Sequence, residues 1–230
     1  MRKVQPLENM ISNMIEVDRL TDIHSQITGT SRGRRHRVEI LNKSAVVLIT
    51  ACWEAFVEDS ATQAFDFLLK EAKTPSDFPV KIRVLASRQL KDSQDGRRVW
   101  ELAGDGWRRV LKNYRNEIMD RFVVSLNTPR PTNIDKMFGD LLDVGQVSSS
   151  WTWGKLSATR ARKTLDDFIT LRGDIAHRVS TASSITKARV QQYRNFAFRI
   201  AVRTSNYLNG EILKIVKKSP WERWSFGRVS

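Results

Sequence analysis

The sequence predicts an all-α protein: a helical bundle whose two longest final segments form a pair of C-terminal helices. Three observations carry this. Apolar residues recur at three- and four-residue steps almost throughout the chain, the period of a helix with one buried face. No segment shows apolar–polar alternation over the length of a strand. The periodic stretches are separated by short runs rich in Gly, Pro, Ser and Thr, which favour turns. An apolar share of 40%, with seven Trp, ten Phe and three Tyr, supplies enough bulky material for a core and excludes a disordered chain.

Taken in order, Leu7, Met10, Ile11, Met14, Val17, Leu20, Ile23 and Ile27 form one stripe and predict a first helix over residues 7–27. GTSRGRRHR (Gly29 to Arg37) follows as a basic loop with two glycines. From Val38 to Lys70 the pattern is apolar on most faces, as expected of a central buried helix. TPSDFP ends it with two prolines, and a short helix spans Val80 to Lys91. A longer helix is expected from Arg97 to Leu126, with a kink or break at Gly104 and Gly106. NTPRPTN reads as a loop, IDKMFGDLLD as a brief helix and QVSSSWTWG as another loop. Ala158 to Arg178 carries Leu165, Phe168, Ile169, Leu171 and Ile175 on one side, and Ser183 and Ser184 are suitable caps for the last helix, Ile185 to Val216. The bundle is expected to form one domain over residues 1–217, with 218–230 as an irregular tail.

The net charge of +14, from 39 basic and 25 acidic residues, favours polyanionic partners such as nucleic acid or an anionic surface. Cys52 is the only cysteine, which excludes an internal disulfide and a Cys-based zinc site. It lies in AVVLITACWEAF, where Glu54 interrupts the apolar run short of the roughly 20 residues of a membrane span. The start, MRKVQPLENM, has no apolar segment behind it. The expectation is a cytoplasmic protein with no membrane partner, no cofactor and no metal, because three scattered histidines and one cysteine form no ligand cluster.

One stretch stands apart. LRGDIAHRVS places Arg172 five positions before His177, near the end of a helical pattern and just before a Ser/Thr-rich turn. The spacing alone is weak evidence in an arginine-rich chain, since Arg19 and His24 (RLTDIH) repeat it inside an ordinary amphipathic helix. Read as structure only, His177 caps a helix end and Arg172 pairs with Asp167 or Asp174 on the surface.

LRGDIAHR resembles the signature of the HEPN superfamily, all-helical domains with an Arg-x4–6-His motif often ending in Ile-Ala-His. NKSAVVLITACWEAFVEDSATQAF (Asn42 to Phe65) resembles the central helix of the RiboL-PSP type, with its aromatic-Glu-Ala-aromatic-Val-Glu-Asp string at Trp53 to Asp59. The resemblance covers residues 10–70 and 158–210. The family usually has Asn, Asp or His directly after the arginine; here Gly173 stands there, and Asp174 follows as its substitute. Members of the superfamily include metal-independent endoribonucleases of toxin–antitoxin and anti-phage systems, and non-catalytic RNA binders. The resemblance therefore implies Arg172, His177 and Asp174 as catalytic residues, and an antitoxin or another defence-system protein as a possible partner.

The chemistry fits those residue types. Cleaving RNA with its own 2′-hydroxyl needs a base, an acid and positive charge for the phosphorane. A histidine, with an ordinary pKa of about 6.5, can act as either acid or base, and an arginine fork matches a phosphoryl group gaining charge. Five residues rotate a helix by about 140°, so Arg172 and His177 do not share a face, and each motif holds one histidine. A homodimer with a composite active site supplies the second pair. Arg32, Arg34, Arg35, Arg37 and Arg178 are the expected RNA-binding residues, with His36 among them in the loop. Trp53 and Glu54 are expected in the core and at helix–helix contacts; Trp151, Trp153, Trp221 and Trp224 are expected to pack, with base stacking as the other use of such rings. The alternatives to a nuclease are an inactive HEPN module binding RNA or a protein, and a purely structural helical subunit. Replacing Arg32, Arg34 and Arg35 by alanine is expected to flatten the slope of log K against log salt by about 0.7 per lost single-strand phosphate contact. An unchanged slope returns the loop to a solvated surface.

Overall fold

A 33-residue segment that is apolar around most of its circumference must be covered from several directions, and the fold is the arrangement that covers it. The structure, a computed structural model, describes residues 5–28, 38–125, 129–178 and 184–226. Helix α1 spans Pro6–Thr28 and helix α2 spans Glu39–Glu71. Fourteen residues of α2 are buried, so it forms the centre of the core rather than one wall of it. Glu54 does not cut the apolar span short as its position led us to expect: by length and composition α2 could cross a membrane, although half of its most apolar window is buried inside the bundle.

Helix α1 runs antiparallel to α2. Near one end Asn9 Nδ2 donates to Asp59 at 2.9 Å. Near the other, Asn42 Nδ2 donates to the Ile185 carbonyl at 2.7 Å, and Lys187 reaches Ser25. Helix α7 (Lys187–Val216) starts at that point and runs parallel to α2, Lys218 pairing with Glu71 at 2.5 Å beyond the far end. Arg194 ties α7 to Asp18 of α1 at 2.6 Å.

The remaining helices, α3 (Val80–Lys91), α4 (Gly106–Ser125), α5 (Pro131–Leu142) and α6 (Ala158–Arg178), complete the covering. Among the described residues there is no strand, and one isolated bridge joins Trp153 to Leu156. Trp53 and Trp151 are fully buried, packed edge to face with ring centroids 5.9 Å apart. Trp151 Nε1 donates to Thr204 Oγ1 at 2.9 Å, giving the buried indole the partner it needs. Trp221 docks from the tail, donating to the Ser205 carbonyl at 3.2 Å, while Trp224 stays partly exposed against Phe198.

The break expected at Gly104 and Gly106 is present, with a 3-10 turn, Gly96–Leu102, ahead of it and α4 after it, and two other local expectations change. The Asp95 carboxylate starts the turn by accepting from the Arg97 backbone N–H at 3.1 Å, and Gly104 ends it with a φ of +56°. The chain then folds back so tightly that a Cβ on Gly106 would lie 1.9 Å from the Glu101 carbonyl oxygen. Helix α5 begins at Pro131, ahead of IDKMFGDLLD, because proline suits the first helical turn. The cap of α7 is Thr186, whose hydroxyl accepts from the Arg189 N–H at 3.2 Å. Ser184 precedes it, and Ser183 lies outside the described residues.

Gly106→Ala is expected to lower stability by about 1–3 kcal/mol, since the clash is with backbone rather than a flexible side chain. Urea unfolding followed by far-UV circular dichroism measures it; an unchanged midpoint would show that the turn relaxes freely.

Candidate active site at the end of helix α6

Leu165, Phe168, Ile169 and Ile175 bury one side of α6, with Phe168 stacked on Tyr193 of α7 at 4.5 Å between centroids. That registration fixes where the rest of the helix points. His177, two residues after buried Ile175, is exposed, as are Asp174 and Ala176. Arg172 is half-buried. Its Nε is buried with no hydrogen-bond partner among the described residues.

The acids that the sequence offered to Arg172 are engaged elsewhere or face water. Asp167 pairs with Lys163 at 3.2 Å. Asp166 pairs with Arg130, whose other Nη atom donates to Thr170 Oγ1 at 3.1 Å. Arg130 stands at the N-terminal cap of α5, next to Pro129, whose carbonyl accepts from Trp53 Nε1 at 3.4 Å. Arg130 thereby clasps α5 to the motif helix one turn before Arg172.

The group facing Arg172 comes from α2. Burial pushes the Glu54 carboxyl above its ordinary value of 4.5; the Arg172 charge pulls it down, and Glu58 one turn later pushes it up. Glu58 is itself raised, first by burial and then by Asp59. No ion pair joins Glu54 to Arg172 among the described residues, so the guanidinium lies within Coulombic reach of a carboxylate without being consumed by it. Glu54, expected as a helix–helix contact, is therefore the residue that sequence reasoning left out of the site. The available signal was a glutamate set inside the most apolar run of the chain.

The second copy of the spacing behaves differently. His24 is buried, with 4% exposure, whereas Arg19 faces solvent and pairs with Glu16 at 2.5 Å. The RLTDIH copy thus lies on a helix whose histidine points into the core. Cys52 is buried and its thiol is pushed up to about 11 by burial, which removes it as a nucleophile near neutrality. Among the described residues no three His, Cys, Asp or Glu side chains gather as a metal-ligand group. Arg32, Arg34, Arg35, His36 and Arg37 lie outside the described residues, as does the side chain of Arg178.

Comparison with known proteins adds one finding. The sequence model of the family described as RiboL-PSP-HEPN matches residues 13–210. Neither a curated protein nor a solved structure matches the chain.

Because the Glu54 carboxyl is raised by folding, it binds its proton more tightly in the folded chain, and its ionisation weakens the fold as pH rises past the ordinary carboxylate value. Glu54→Gln is expected to raise the urea midpoint at neutral pH, and that advantage is expected to vanish below the ordinary value of 4.5. A midpoint lowered at neutral pH but not at acid pH would show that the carboxylate is held by Arg172 more strongly than it is penalised by burial.

Proposed function

Since the chain belongs to the RiboL-PSP-HEPN family, we propose that it is a metal-independent endoribonuclease acting as a homodimer. The observation that carries this reading is Arg172. It is a guanidinium with a buried, unpartnered Nε, near a carboxylate that it does not contact, on the helix that exposes His177. Such an arginine is placed to receive an anion.

In this reading RNA binds across the ends of two α6 helices. The His177 imidazole of one copy takes the proton from the 2′-hydroxyl as its oxygen attacks phosphorus. The copy across the two-fold axis protonates the departing 5′-oxygen as the P–O5′ bond breaks. The Arg172 forks bear the charge of the phosphorane, and the products are a 2′,3′-cyclic phosphate and a 5′-hydroxyl. Glu54 orients Arg172, and exposed Asp174 takes the polar position after the motif arginine. Exposed apolar positions on α2 support pairing of two copies here: Ile40, Leu48 and Ala51 precede Glu54 on that helix and remain uncovered.

Gly173 points the same way. A Cβ there would meet nothing within 4 Å among the described residues, so none of them requires glycine inside this helix. A second copy or the RNA backbone passing close to α6 accounts for it. The same residue favours the second reading, an inactive module that binds RNA or a partner protein, because the family's usual polar residue is absent at that place. The net charge of +14 and the basic loop support RNA as the ligand in either case. In this reading the protein acts in the cytoplasm, in bacterial defence or in a toxin–antitoxin pair; a neighbouring antitoxin or nucleotidyltransferase gene would identify which.

His177→Ala is expected to abolish cleavage of single-stranded RNA with the fold intact, because the side chain is exposed. Arg172→Ala is expected to cost about 2.7–4 kcal/mol in transition-state stabilisation. The matching comparison variant is Arg19→Ala: His24 is core, and its removal would disturb folding instead. Gly173→Ala is expected to stabilise α6 by about 0.5–1 kcal/mol while lowering cleavage. Sedimentation is expected to give twice 26.5 kDa, and cleavage is expected to survive EDTA. A folded His177→Ala protein cutting at the wild-type rate ends the nuclease reading. RNA binding without any cleavage by the unaltered protein leaves the binding module.

A further inference from the structure

The segment from Val80 to Lys112 carries a feature separate from the α6 site. Helix α3 lines a groove with Val80, Val84, Ser87 and Lys91, positions related as i, i+4, i+7 and i+11, so the groove runs the length of that helix. Trp107, Val110 and Leu111 of α4, Leu102 of the 3-10 turn and Pro75 form its other side, and the groove holds about 410 Å³. Its exposed surface is overwhelmingly apolar, and several of its residues face water to an unusual degree: Val80 is 65% exposed and Val84 46%. On the turn that contributes Leu102, Trp100 is 76% exposed and Val99 half-exposed beside it.

We propose that this groove is a docking site for an acidic, amphipathic helical segment of a partner protein. Shape is the first reason. Two helices flank an apolar trough about 16 Å long, the rise of eleven residues, which matches a helix inserting anchors on one face. Charge is the second. Lys91 and Arg83 line the groove and Arg88 is exposed in the last turn of α3, which has no acid, whereas Lys81, Arg97, Arg98 and Arg108 are held in ion pairs. The third is Trp100, a large exposed aromatic of the kind that anchors interfaces, on the turn that completes the groove. A small amphipathic anion would use the trough and the basic residues but would leave Trp100 and Val99 uncovered, which is why a longer occupant fits better.

The test uses a fluorescein-labelled synthetic helix of about 14 residues, with leucine at i, i+4 and i+7 and glutamate elsewhere, and a second version with lysine in place of glutamate. Fluorescence anisotropy with the full chain is expected to give a dissociation constant of about 10–100 µM for the acidic peptide and none for the basic one. Val84→Lys and Trp100→Ala each are expected to weaken binding about tenfold. The lysine raises the net positive charge, so simple attraction between a basic surface and an acidic peptide predicts tighter binding instead. Both side chains are exposed, and circular dichroism checks that the variants fold. Amide shifts in the unaltered protein provide a second readout, expected within residues 80–112. Unchanged or tighter binding to Val84→Lys overturns the proposal, as do peptide-induced shifts elsewhere in the chain. Saturable binding of dodecanoate without peptide binding assigns the groove to a small anion and overturns it too. So does self-association of the protein that Val84→Lys abolishes, since the occupant is then a second copy.

Discussion

Helix α2 carries apolar side chains around most of its circumference, and no single neighbour can cover them, so its burial dictates where the other helices lie. The antiparallel α1 and the parallel α7 take two sides; α4, α5 and α6 take the rest. Trp53, midway along, shows how tightly these choices are linked. Its ring stacks on Phe56, meets Trp151 edge on, and donates to Pro129 at the entry to α5, while Trp151 bonds to Thr204 of α7. Removing one such ring from a packed interior typically costs about 3–5 kcal/mol, a large fraction of a domain's net stability.

The candidate site forms where this apolar rule is broken. Glu54 and Glu58 lie on α2 where it meets α6, half-buried, and both are raised by the loss of water. Opposite Glu54 stands Arg172, which keeps an unpartnered Nε; an unmet buried donor costs about 1–3 kcal/mol. A single ion pair would remove much of both penalties, yet Asp166 and Asp167 are held by Arg130 and Lys163. The packing thus leaves Glu54 and Glu58 half-buried, with Glu54 within Coulombic reach of Arg172 on the motif helix, which exposes His177.

The middle segment is fixed to the same central helix by a different device. Arg108, at the start of α4, stacks on Trp107 and donates to the carbonyls of Leu69 and Ala72, the latter at 2.7 Å. These lie at the C-terminal end of α2, where unpaired carbonyls favour a cation. Tyr114 then reaches the Asp140 carbonyl of α5 at 2.6 Å. The groove between α3 and α4 is therefore built on a rigid base, while its apolar side chains remain in water.

What the sequence determined by itself is what depends on neighbours along the chain. The helix from Val80 to Lys91 and the one from Ala158 to Arg178 are read to the residue, because apolar periodicity and the flanking loop residues are local signals. The RGDIAH and CWEAFVED strings were sufficient to point to the family. Four other features depended on contacts between residues distant in sequence or on close backbone approach. The two glycines marked a break before α4, but the 3-10 turn ahead of it and the Glu101 carbonyl closing on Gly106 are set by close backbone approach. Arg19–His24 and Arg172–His177 have identical spacing; they differ in the phase of each helix against the core, which buries one histidine and exposes the other. Glu54 reads as an interruption of an apolar run until α6 brings Arg172 to face it. The tryptophans, alike in composition, divide into buried Trp151 and exposed Trp100 only when the helices pack. Periodicity gives each helix a buried side, but the identity of the group that meets it is set by the three-dimensional closure of the bundle.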